Sequence, residues 1–281
     1  MLSDLADLTK AALFYGIAFG LCLALVPLAP LLGDRIPVVA MTTPLAAVLL
    51  MLVAVTRDGW SRAGWEALGV QRAGFAGWGL ALVLPPLVLG AAYGVLWASG
   101  LASFVSPTGP GGSGAFIVDL VVSLVVTTVC FTAAEEIGWR GYLLPHLLAL
   151  GPRRAVLLSG LLHGVWHLPV MIGTPYYHTL GSRLVVVPLF LATLTAAGVC
   201  YGHLRLTTAS IWPAAIAHAG FNLTWERLHA STVTAAPALL EYLAGESGLL
   251  TLAALAVVAA RLLPGSPPGR SASTARRSGG S

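Results

Sequence analysis

Polar and charged positions in this chain are confined to short intervals between long apolar blocks. A membrane span needs about 20 mostly apolar residues. By that rule eight blocks qualify, near 11–33, 37–55, 75–99, 115–135, 155–173, 183–204, 208–225 and 247–263. The last is short, and the run 237–246 before it carries Glu241 and Glu246. The pattern predicts an all-α fold, a polytopic transmembrane helix bundle of about eight spans. Pro85-Pro86 and the Gly90/Gly94 pair predict a kink and close helix packing in the third span. Pro169 predicts a loosened helix two residues after His167.

Composition agrees with that pattern. Hydrophobic residues make up 57% of the chain and charged residues 9%, whereas soluble domains carry roughly 25% charged residues. No soluble domain fits anywhere. Thr56 to Gly74, with Trp60, Trp65 and three arginines, reads as an interfacial cytoplasmic loop. Ser106 to Gly114 reads as an uncharged outer loop, and Pro264 to Ser281 as a disordered tail. The N-terminal apolar run is too long for a signal-peptide core and is expected to stay as a first helix. Cys22, Cys130 and Cys200 all fall in apolar blocks without metal-type spacing, which predicts buried reduced thiols.

The charges also orient the bundle. With a cytoplasmic N-terminus, the inner segments hold Lys10, Arg57, Arg62, Arg72, Arg153, Arg154, Arg205, Arg261, Arg270, Arg276 and Arg277. The outer segments hold only Arg35, Arg183 and Arg227. This asymmetry places both termini in the cytoplasm of a multi-pass cell-membrane protein. Topology thus accounts for the net charge of +4 without a nucleic-acid partner.

Against this background Glu135-Glu136-Ile137-Gly138-Trp139-Arg140 stands out. Ionised groups within a membrane are costly and mark functional sites. On a helix Glu136 and Arg140 share a face at i,i+4 and can pair. Glu135 points about 100° away and is expected to lack a cation, which suits a general base. In the second motif, His163 and His167 share the spacing of the zinc pair in H-E-x-x-H proteases. Gly164 replaces that motif's glutamate. A divalent metal such as zinc remains open, with Glu135 or His218 as third ligand. The third motif, His218 to Asn222, places two N–H donors on one face, suited to an oxyanion. His146, His178, His203 and His229 read as interfacial or solvated, and Asp119 as accessible to water.

The order Glu135-Glu136…Arg140, then His167, then His218…Asn222, resembles the CPBP family of intramembrane endopeptidases, the CAAX proteases and bacteriocin-processing enzymes also called Abi. The resemblance covers about Asp119 to Trp225. It implies that Glu135 and His167 activate a water, that His218 and Asn222 stabilise the oxyanion, and that Glu136 and Arg140 hold the site together. The substrate it implies is a membrane-associated protein or peptide. The chain then divides into N-terminal helices at 1–114, a catalytic core at 115–225, a last transmembrane helix at 226–263 and a cytoplasmic tail at 264–281. His163 departs from the family, which usually has phenylalanine there, so His163→Phe is expected to leave substantial activity. Glu135 lies near the expected end of its span, so the cavity is expected to open toward the cytoplasm. A non-catalytic scaffold or immunity protein of the same fold, and a proton- or cation-coupled transporter, are the rival readings. An intact motif set and the absence of an internal repeat weigh against them.

Overall fold

The computed structural model describes residues 5–106, 112–177 and 180–265. Residues 107–111 of the expected outer loop, His178 and the tail from 266 lie outside the described residues. The architecture is an all-α, multi-pass membrane bundle. Among the described residues, five helices are long and apolar enough to cross a bilayer, and two shorter apolar ones accompany them. In chain order the helices are α1 (Asp7–Leu25), α2 (Thr43–Val55), α3 (Trp78–Ala98), α4 (Gly114–Leu150), α5 (Pro152–Gly173), α6 (Arg183–Thr208), α7 (Trp212–Ala230) and α8 (Leu249–Leu262). Helix α7 is the most polar, because it carries His218, Asn222, Glu226 and Arg227.

Two expected spans have different boundaries. The block near 37–55 divides at Met41-Thr42 into a short helix, Ile36–Ala40, and α2. The block near 115–135 does not stop at Glu135, because α4 continues to Leu150. Nothing between Glu135 and Leu150 ends a helix. Gly138 and Gly141 are tolerated within it, and Pro145 sits in the first turn of the segment Leu144–Leu147. Arg205 Nε donates to Arg140 O at 3.0 Å, supplying a donor to the carbonyl five residues before a proline that has no N–H.

Helix α4 is not uniformly α. Thr128–Thr132 and Ile137–Leu143 are π-helical, and the two glutamates lie on the α segment Ala133–Glu136 between them. Such π turns are often found at functional sites. Two glycines let other backbone approach this part of α4. A Cβ on Gly138 would lie 2.6 Å from Pro44 Cβ, and one on Gly141 would lie 3.1 Å from Leu68 O.

The closest helix packing joins α5 and α6. A Cβ on Gly198 would come within 2.3 Å of Gly160 Cα, and one on Gly160 within 2.8 Å of Leu194 O. Gly164 and Gly202 repeat the small residue four positions on, the spacing that lets membrane helices touch backbone to backbone. The close packing expected at Gly90 and Gly94 is not there, since a Cβ on either would meet nothing within 4 Å. Helix α3 packs through Leu89, Ala92 and Tyr93 instead and runs on through Pro85-Pro86 as one helix. Helix α5 likewise continues past Pro169 to Gly173.

Polar contacts mark the two ends of the bundle. At one end Lys10 pairs with Asp58 at 3.1 Å, and Arg205 Nη2 donates to Ala67 O at 2.9 Å. Trp212 Nε1 donates to Val70 O at 2.7 Å, tying the 56–77 connection to the start of α7. At the opposite end β1 (Ser103–Phe104) pairs antiparallel with β2 (Thr232–Val233). There Arg227 also meets Asp119 at 2.7 Å, so Asp119 is exposed as expected but ion-paired.

Candidate active site

Helices α4, α5 and α7 bring the three motifs together. Glu136 and Arg140 are fully buried and pair at 2.9 Å between Oε1 and Nη1. The i,i+4 spacing had predicted this pair. Burying two charges is costly unless each is well partnered, and here the partnering is partial: Glu136 Oε2 and Arg140 Nε and Nη2 are buried without a hydrogen-bond partner among the described residues. His218 Nδ1 lies 2.9 Å from the same Glu136 oxygen. The Arg140 guanidinium lies 5.0 Å from the centroid of the Tyr201 ring, and that ring also stacks on His218 at 5.5 Å.

Glu135 differs from expectation. It has no cation beside it, yet it is not unpartnered: His163 Nε2 lies 2.8 Å from its Oε2 and Trp139 Nε1 lies 3.4 Å away. The missed signal was His163 itself, which helical spacing aligns with His167 but cannot aim across to α4. The hydrogen-bond chain assigns its tautomer. Arg140 Nη1 lies 3.3 Å from His163 Nδ1, and arginine only donates. Nδ1 must therefore accept, which leaves the proton of the neutral ring on Nε2, donated to Glu135. Trp139 stacks on the same ring at 5.0 Å between centroids.

His167 has the opposite tautomer. Its Nδ1 lies 2.9 Å from the His163 carbonyl oxygen, which can only accept. The Nδ1–H is thereby fixed, and Nε2 keeps its lone pair. Phe190 and Tyr177 hold the ring from the far side, with centroids at 5.1 and 5.9 Å.

Glu135, His167, His218 and Asn222 line one cavity of about 250 Å³, together with Cys22, Met41, Trp166, Tyr177, Glu226 and Glu246 among others. All six residues expected at the site are thus gathered: four face the cavity, and Glu136 and Arg140 lie behind it. Tyr177 and Glu226 carried no motif and went unnoticed in the sequence, and Glu246 was read only as a charge before the last apolar block. Tyr177 donates its hydroxyl to Glu246 Oε2 at 2.9 Å. Burial and the neighbouring Glu246 hold that phenol's pKa well above its ordinary value, so Tyr177 remains a donor.

The donor set can be tested against a metal. Ligand atoms of Glu135, His163 and His167 lie within 4.8 Å of one another. The tautomer forced on His163 does not fit, because its Nε2 carries a proton where a metal would need a lone pair. Glu135 and His167 then supply two ligands, and His218, the other third ligand expected, lies outside that 4.8 Å group.

The cavity does not open where expected. Its outer lining comes from Pro37, Met41, Tyr177, Glu226 and Glu246, all at the end opposite Lys10 and Asp58. The physical reason is the length of α4. With the helix continuing to Leu150, Glu135 lies fifteen residues from that end, or about 22 Å at 1.5 Å per residue.

Residues 117–224 match the family described as type II CAAX prenyl endopeptidase Rce1-like. The matched family is a CPBP family, and the match spans the segment that carries the three motifs. No curated protein matches the chain. The matched segment contains every one of the six expected site residues, and the family supports a CAAX-type intramembrane protease.

Proposed function

We propose that the protein is an intramembrane endopeptidase that hydrolyses peptide bonds of membrane-associated proteins or peptides, using a water activated by Glu135 and His167. The observation that carries this reading is the shared cavity, in which a carboxylate, an imidazole lone pair and two potential oxyanion donors converge. Glu135 Oε2 is occupied by His163 and Trp139, which leaves Oε1 as the oxygen to take up a water in the cavity that Glu135 lines. A water held between Oε1 and His167 Nε2 would give its proton to Glu135 as its oxygen attacks the scissile carbonyl. The oxyanion formed meets the Asn222 amide and the His218 ring. His218 Nδ1 is committed to Glu136, so a donor at Nε2 requires the protonated ring, hydrogen-bonded to the carboxylate that Arg140 also shares. Glu135 then returns the proton to the departing amine. Glu136 and Arg140 position these groups without touching the substrate.

The test is cleavage of a membrane-anchored peptide by purified protein in liposomes, with and without a chelator. Wild type should cleave and Glu135→Ala should not. Equal cleavage by both would refute the reading. Loss of cleavage on chelation that added zinc restores would overturn the metal-free assignment.

A further inference from the structure

The catalytic cavity has a direction. His167 is six residues from the end of α5 at Gly173, and Asn222 is eight from the end of α7 at Ala230. At 1.5 Å per residue the site lies about 9–12 Å from that end of the bundle. From Pro152, where α5 starts, His167 is fifteen residues away, or about 22 Å. The nearer end also supplies the cavity mouth: Pro37 and Met41 come from the 26–42 connection, Tyr177 from 174–182, Glu226 from the last turns of α7 and Glu246 from 231–248. No lining residue comes from the 56–77 connection or from the α4–α5 turn.

Toward the other end the site is sealed. Arg140, Leu143 and Leu144 are fully buried, and Tyr201 nearly so. Gly138 and Gly141 there let Pro44 and the Leu68 carbonyl close directly onto α4. Among the described residues, the cavity lined by the site residues therefore has its mouth at one end only; a separate cavity of about 520 Å³ at the other end reaches Ile137 but is lined by none of the site residues.

Charge says which side of the membrane that end occupies. Among the described residues, one lysine and seven arginines lie at the sealed end, from Lys10 to Arg261. Only Arg35, Arg183 and Arg227 lie at the open end, alongside Asp34, Asp119, Glu226, Glu241 and Glu246. Basic residues are retained on the cytoplasmic side and acidic ones contribute little, so the sealed end is cytoplasmic.

We infer that the catalytic cavity is entered from the non-cytoplasmic face, and that its substrates are membrane-anchored proteins or peptides whose cleaved segment lies on, or just within, that face. The substrate class rests on the peptidase reading, whereas the side of entry does not.

Side of entry can be read without turnover, so the two readings fail separately. Cys130, the exposed cysteine, and Cys22, which lines the cavity, are replaced by serine, and Cys200 stays as a buried thiol whose labelling is read in the parent without added cysteines. Single cysteines are then placed in the cavity (Met41→Cys), at the open end (Ala235→Cys) and at the sealed end (Arg153→Cys). Sealed spheroplasts of a bacterial host receive a small, charged, membrane-impermeant thiosulfonate before or after lysis. Met41→Cys and Ala235→Cys should react before lysis, and Arg153→Cys only after it. Glu226→Cys at the rim and Arg62→Cys replace any variant that fails to accumulate. Reaction of the cavity cysteine only after lysis, or from neither side, would overturn the inference. So would equal reaction of Ala235→Cys and Arg153→Cys in sealed cells.

Discussion

Glu135 and Glu136 are neighbours in sequence and both are almost fully buried, yet they occupy different chemical regions. Glu136 sits in a closed ionic cluster with Arg140 and His218. Glu135 is held on one oxygen by neutral donors and turned to a cavity. The difference teaches that burial alone does not mark the reactive carboxylate. On the reading proposed above, the buried carboxylate paired with Arg140 is a structural member, while the one steadied by neutral N–H groups beside a cavity is available for proton transfer.

The largest effect should come from the cavity side. Glu135→Gln keeps the shape and removes the base, so turnover should fall by about 10²–10⁴-fold, the usual worth of a general base, with the melting temperature unchanged. Near-normal turnover in a working assay would end the distinction between the two glutamates. On the closed side Arg140→Ala strands Glu136 and should cost about 3 kcal/mol or more of stability, read as a lower melting temperature with activity falling alongside. Wild-type thermal stability in that variant would show that the ionic cluster is not structural.

Smaller effects sharpen the boundary. His163 bridges the two regions, touching Arg140 with one nitrogen and Glu135 with the other. His163→Phe should therefore retain measurable cleavage but lower kcat by about tenfold, the scale of one lost hydrogen bond of roughly 1.4 kcal/mol, with KM little changed. A loss as complete as that of Glu135→Gln, accompanied by loss of bound metal in elemental analysis, would instead make His163 a ligand. The smallest change should come from the rim, where Tyr177→Phe removes only the hydroxyl given to Glu246. A KM shift of no more than a few-fold at unchanged melting temperature is expected, since one hydrogen bond at a wet site contributes little.

Much of this was legible in the sequence because helical spacing is rigid. Positions i and i+4 share a face whatever surrounds them, so the Glu136–Arg140 pair could be read directly. Contacts across helices depend on how the helices are rotated and offset, and no local pattern encodes that. The link from His163 to Glu135, the aromatic support from Tyr201, and the choice of Gly160/Gly198 over Gly90/Gly94 for close packing all belong to this class. The side of the cavity mouth was missed for a related reason. Apolar content fades at Glu135, but the helix does not, because Tyr142, Leu143 and Leu144 continue it inside protein.

The π turns of α4 bear on how this chain can change length. A π turn closes its hydrogen bond at i to i+5 instead of i+4, so it stores one surplus residue within a helix. Loss of one residue from 128–132 could be absorbed by reverting to α geometry, with Asp119 and Glu135 keeping their relative phase. The same loss within Ala133–Glu136, where no surplus is stored, would swing everything beyond it by about 100° and separate Glu136 from His218. Single-residue deletions near the glutamates should therefore be tolerated in Thr128–Thr132 and rejected within Ala133–Glu136.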